Sequence, residues 1–341
     1  MFEGRNLPEH VKEKVASWVN HGKTNKTWSA YRTAERMALQ CQKENKLKFE
    51  WPMTAENTLI FIYWLIEEKG LKVATANSYL AGLRQAHIMK GLPPPKLRSE
   101  LVKQALKGRS NMEVNQRNRG PDMEKKRLPM TIPLLKLLKD RIRKSDMEGE
   151  TKLMIWTVCS VMFFGAFRIN ELVSKTESCF DPDHTLLAKD VQLNKKATGS
   201  SIAITLKCPK EKKAGDSTIV DIFETEGPLC PVRAYEKWRR NSNQQANMPL
   251  FCHPDGTPLT DRKFNFYLKT LLGSHTQFAK GTISSHSFRA GIPTILGSKG
   301  HDDEEIKKVG RWSSRAFEIY IKGKRTNRAA IARQLGGIID N

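Results

Sequence analysis

Six residues able to act on a phosphodiester, and a glutamate beside the first of them, follow one another through the second part of the chain. Arg168 stands in "GAFRINEL" with Glu171 three residues on, and Lys210 lies in the lysine-rich "PKEKKAGD". His286 and Arg289 share "SSHSFRAG", and Trp312 and Tyr320 share "GRWSSRAFEIYI". Guanidinium groups stay charged and bind phosphate oxygens in pairs through a planar fork, so two arginines suit the non-bridging oxygens. A tyrosine, with a reference pKa of about 10, needs a nearby base and a positive field to attack at neutral pH. Histidine can take that proton, and lysine can protonate a departing 5′ oxygen. Each residue alone has a plainer reading. Tyr320 falls in an apolar stripe with Phe317 and Ile321, and Arg168 could serve only the C-terminal dipole of an apolar helix, with Glu171 as its surface partner. Their occurrence together, in this order, selects the catalytic reading.

The elements that must position them fall into two parts. A chain of 341 residues with 39% apolar content is long enough for about two domains of ordinary core. The net charge is +22, and residues 1–127 and 128–341 each carry an excess of 11. Charge spread in this way presents positive surface from both parts to one polyanion, and nucleic acid fits better than a membrane. No apolar run is long enough to span a bilayer, and the N-terminus carries no apolar core of a secretory signal. The six cysteines are scattered without a C-x-x-C pair, which reads as reduced thiols and not as a zinc site.

Residues 1–109 read as an all-helical bundle of four or five helices, punctuated by Gly70, Gly91 and Pro93–Pro95. Residues 110–127 lose apolar periodicity and read as a polar linker. Residues 128–341 open on two helices, the second nearly all apolar ("TKLMIWTVCSVMFFGAF"). Three strand-like runs follow, "LLAKDVQLN", "SIAITLKC" and "STIVDIF", the last two joined by the lysine-rich turn. Helices then return, ending with "SRAFEIYIKG". The tail 321–341 carries Ala330, Ile331 and Leu335 as an apolar stripe after Gly323. The fold class expected is mainly α with a small antiparallel β-sheet.

At these boxes the chain resembles the tyrosine recombinase (phage integrase) family, and "GRWSSRAFEIYI" looks most like its eukaryotic mobile-element branch, the DIRS- and Ngaro-type retrotransposons and Cryptons. The resemblance implies a helical, SAM-like core-binding domain at 1–109 and a catalytic domain at 128–341. It implies a site-specific recombinase or integrase that cleaves and rejoins double-stranded DNA through a 3′-phosphotyrosine at Tyr320. No metal, ATP or other cofactor is expected. It further implies self-association on DNA, from dimer to tetrameric synapse, no membrane partner, and a nuclear location. Under it Arg168 and Arg289 clamp the phosphate, His286 handles the tyrosine proton and Lys210 is the hairpin acid, with Lys207 second. Trp312 would offer its indole N–H where many members have histidine, and Glu171 would orient Arg168 and the histidine. Trp312 and Tyr320 are eight apart, one fewer than in many bacterial members. Two other readings remain: a catalytically silent, domesticated DNA-binding remnant, and a type IB topoisomerase with similar chemistry.

Overall fold

A computed structural model of the protein describes residues 8–93, 97, 99–119, 126–197, 199–207, 217–273 and 281–321. Lys210, the lysine-rich turn and the tail beyond Ile321 lie outside the described residues. The chain divides into two compact units, Met1–Glu124 and Lys125–Asn341.

The first unit is helical: α1 (Glu9–His21), α2 (Asn25–Glu44), α3 (Ala55–Tyr63), α4 (Val73–Met89) and α5 (Glu100–Arg119). Thr24 and Thr54 cap α2 and α3, each accepting from the backbone N–H three residues on. The α3 helix widens into a π-turn at Trp64–Glu68. Ala34, Ala38, Phe61, Trp64, Leu65, Leu80 and Leu83 are buried together at its centre. One expectation is corrected. The segment from residue 110, read as linker, is helical as far as Arg119. Apolar periodicity fades there, but no glycine or proline stops the helix before Gly120–Pro121. The helix is also tied back by Glu113, which accepts from the Val73 N–H at 2.9 Å, and by Arg109, 2.9 Å from Glu67.

The second unit opens with β1 (Lys126–Arg127), which pairs in parallel with β5 (Gly281–Thr282). Then come α6 (Ile132–Lys144), the buried α7 (Gly149–Phe164) and the short α8 (Ile169–Leu172). Strands β2 (Val191–Lys196), β3 (Gly199–Lys207) and β4 (Ser217–Phe223) form an antiparallel sheet in the order 2-3-4. Helices α9 (Pro231–Asn241), α10 (Asp261–Leu272), α11 (Ser285–Ser298) and α12 (Asp303–Gly310) follow, and a 3₁₀ turn spans Arg315–Tyr320. Eleven of the sixteen residues of α7 are buried, so it must sit in the core, as its all-apolar run requires. The mainly helical fold with one small antiparallel sheet is as expected.

Two local expectations change. The run read as a strand from Leu186 starts its ladder only at Val191, because Ala188–Asp190 forms a 3₁₀ turn. Asp190 closes that turn by accepting from the Leu187 N–H at 2.8 Å. The segment expected as a helix at 314–323 is a 3₁₀ turn over its described part. With three residues per turn, Phe317 and Tyr320 fall one above the other, and both rings lie beside Trp312, with centroids at 5.8 and 6.1 Å.

One buried histidine sets a pH dependence for the first unit. The Met53 N–H donates to His87 Nε2 at 2.9 Å, so the proton is on Nδ1, which donates to the Leu83 carbonyl at 2.7 Å. Only a neutral ring makes both bonds, and burial holds its pKa below the ordinary 6.5. Unfolded, His87 takes up a proton near its ordinary pKa, whereas the folded ring resists protonation until lower pH. The stabilisation is therefore complete above about pH 6.5 and declines as pH falls toward the folded pKa. NMR titration of the His87 ring should give a midpoint below 6.5. A midpoint at or above that value would contradict the neutral, doubly bonded ring.

Candidate active site

The candidate residues gather at three elements: the chain reversals that follow α7 and α12, and the helix α11. The first follows α7. Gly165 has no room for a side chain, since a Cβ there would lie 2.1 Å from the Phe167 ring. Ala166 then takes a left-handed conformation (φ 48°) that turns the chain sharply. The turn delivers Arg168 as the residue that starts α8, its backbone extended at φ −77° and ψ 141°. Glu171 reaches back to that start. Its Oε2 accepts from the Arg168 N–H at 2.9 Å, and its Oε1 from Arg168 Nη1 at 3.0 Å.

The second element is α11. Ser284 begins it, the Ser287 hydroxyl accepting from the Ser284 N–H at 3.0 Å. Ser285 anchors it to α10: its N–H donates to Asn265 Oδ1 at 2.8 Å, and its hydroxyl to Asp261 Oδ1 at 3.1 Å. His286 is exposed on the first turn. Arg289, one turn deeper, is 2% exposed. It donates from Nη1 to the Ala166 carbonyl and from Nη2 to the Gly310 carbonyl, both at 2.7 Å. Two of its five N–H bonds thus fix the guanidinium between the end of α7 and the end of α12.

The third element is the end of α12. Arg311 is left-handed (φ 53°, ψ 47°) and reverses the chain into Trp312. Trp312 lies with its ring 4.8 Å from the Arg289 guanidinium carbon and shares a small buried cluster with Ile306 and Phe317. The Thr294 hydroxyl of α11 shares its proton between the Ala290 carbonyl at 2.7 Å and the Tyr320 carbonyl at 3.1 Å, which brings the tyrosine's backbone against the Arg289 helix. Tyr320 is half-buried beside Trp312.

Arg168, Glu171, Arg289, Trp312 and Tyr320 are therefore linked by direct contacts. Arg311 belongs with them although its sequence gave it no role. Its Nη2 lies 3.0 Å from Glu171 Oε2, its Nη1 donates to the Gly165 carbonyl at 2.7 Å, and its guanidinium packs 4.6 Å from the Phe167 ring. The only sequence signal was its place between Gly310 and Trp312. Arg289 Nη1 is 3.9 Å from the same carboxylate oxygen. Three guanidiniums and one carboxylate leave the cluster with two net positive charges. Lys207, the second choice for the hairpin lysine, is held elsewhere. Its Nζ pairs with Asp190 at 2.7 Å and donates to the Pro182 carbonyl at 3.0 Å.

No protein-family model matches the chain, and no curated protein sequence does. Solved structures do. The Tn1549 transposon integrase in complex with transposon right-end DNA is similar over 94% of this chain and 98% of its own, at 15% identity and a TM-score of 0.58. A lambda integrase dimer bound to a COC′ core site matches over 92% and 95%, at 10% identity and a TM-score of 0.56. The XerH site-specific recombinase on palindromic difH substrate, a post-cleavage complex, covers 82% of this chain and 69% of its own at 17% identity and a TM-score of 0.53.

The Gly310 position tests the packing. A Cβ there would fall 1.6 Å from the Trp312 ring. Gly310→Ala should drive the indole off Arg289 and destabilise the second unit by about 1–3 kcal/mol, the usual cost of overpacking. Urea unfolding of the variant checks this, and unchanged stability with unchanged tryptophan fluorescence would refute the packing. Mainly helical, with one three-stranded antiparallel sheet, the second unit has the fold of a tyrosine recombinase catalytic domain.

Proposed function

We propose that the protein is a DNA strand transferase, a recombinase or integrase that breaks and rejoins phosphodiesters through Tyr320. The observation that carries this reading is the convergence of Arg168 and Arg289 on one carboxylate, beside the Trp312–Tyr320 stack. A diester carries one negative charge and gains a second as the pentavalent phosphorus forms. A cluster with two net positive charges favours that second state over the first, which is how binding becomes catalysis.

In this reading the Tyr320 oxygen attacks phosphorus, forming a 3′-phosphotyrosine bond as the bond to the 5′ oxygen breaks. The released 5′-hydroxyl, from the same or another strand, reverses the step. Arg168 and Arg289 donate to the non-bridging oxygens. His286 takes the tyrosine proton and Lys210 protonates the leaving oxygen. The bond of Lys207 to Asp190 favours Lys210 for that role. The helical first unit and the linker residues after Arg119 would grip the duplex together with the catalytic unit. The likeness of "GRWSSRAFEIYI" to the eukaryotic branch supports nuclear action on a mobile element, and the likeness to the family supports assembly from dimer to tetramer.

A duplex nicked near the cleavage site traps the covalent step, because the short 5′-hydroxyl strand diffuses away. Wild-type protein should give a detergent-resistant protein–DNA adduct. Tyr320→Phe should bind the duplex equally and give none. Arg289→Lys should slow adduct formation about 10²–10³-fold, since a point charge lacks the fork. An adduct with Tyr320→Phe, or a near wild-type rate with Arg289→Lys, would reject the assignments.

A further inference from the structure

Arg311 occupies a backbone position that does not ask for an arginine. It follows the last residue of α12 in the left-handed region, where a side chain is strained and glycine is the usual occupant. Its reason for being there lies in its guanidinium, which reaches back 146 residues to the Gly165 carbonyl and 140 to Glu171. Glu171 divides its two oxygens. Oε1 goes to the Arg168 side chain, and Oε2 is shared by the Arg168 N–H and Arg311. Arg289 Nη1 is the next donor in line for Oε2, at 3.9 Å, beyond hydrogen-bond reach.

We propose that Arg311 is a positioning residue that holds Glu171 on the Arg168 side and so keeps the carboxylate from closing on Arg289. It rests on the proposed function in one respect: Arg168 and Arg289 are taken as the phosphate clamp. With the Arg311 guanidinium gone, Oε2 loses an acceptor bond in a half-buried site. The nearest replacement is Arg289, and a shift of under an ångström brings it into contact. That shift would draw Arg289 off the Ala166 carbonyl and spend its charge on Glu171. Arg311 therefore acts on the reacting phosphate only through Glu171, without touching it.

Arg311→Gly is the decisive variant, because glycine suits the left-handed backbone and only the guanidinium is lost. A crystal structure of this variant should show Glu171 within about 3.2 Å of an Arg289 nitrogen. Single-turnover cleavage of the nicked duplex should fall about 10²-fold, the scale of a 1 Å misplacement, with DNA affinity unchanged. In a Glu171→Gln background the same substitution should cost nothing further, because an uncharged partner no longer pulls on Arg289. A separation still near 3.9 Å, or losses that multiply in the double variant, would overturn the proposal. Absence of any adduct from wild-type protein would instead remove the proposed function, and the Arg289–Glu171 separation would still decide the role of Arg311.

Discussion

The carboxylate of Glu171 is the point on which the candidate site depends. It sits 13% exposed and takes bonds from two arginines, with a third at 3.9 Å. A lone carboxylate at that depth would be costly, and so would any of its guanidinium partners. Together they compensate one another, and the cluster keeps a surplus of positive charge. The same group therefore answers a structural demand and sets the electrostatics of the site.

Two strained reversals surround that carboxylate, at Ala166 and Arg311, and both have positive φ. Such conformations persist only where neighbours enforce them. Here the enforcing contacts are the Arg289 bonds to the Ala166 and Gly310 carbonyls and the Arg311 bond to the Gly165 carbonyl. Guanidiniums thus tie together the end of α7 and the end of α12, with α11 between them. Gly165 and Gly310 each give up a side chain so that the rings of Phe167 and Trp312 can lie against those guanidiniums. The packing that shapes the turns is the packing that aims the charges.

Much of this was legible in the sequence, for identifiable reasons. Arg168, Glu171, Arg289, Trp312 and Tyr320 were readable because their chemistry is specific and their order distinctive. The helical bundle and the buried α7 were readable from periodicity and from the apolar run. Arg311 escaped because its partner Glu171 is distant in sequence and its left-handed backbone leaves no pattern. The helix at 110–119 escaped because it is held by Glu113 and Arg109, not by an apolar stripe. The two-residue pair of β1 and β5 is too short for any alternation. Lys207 and Lys210 could not be separated by composition; Lys207 pairs with Asp190, and Lys210 lies outside the described residues.

Under the proposed function this cluster holds a phosphorus while Tyr320 attacks it. Vanadate mimics that pentavalent centre, so the decisive measurement is a crystal structure of the protein with vanadate and a nicked duplex. Vanadium should be bonded to the Tyr320 oxygen, with Arg168 and Arg289 donating to its equatorial oxygens at about 2.7–3.1 Å. Vanadate bound with Tyr320 turned away, or out of reach of both arginines, would contradict the proposed function.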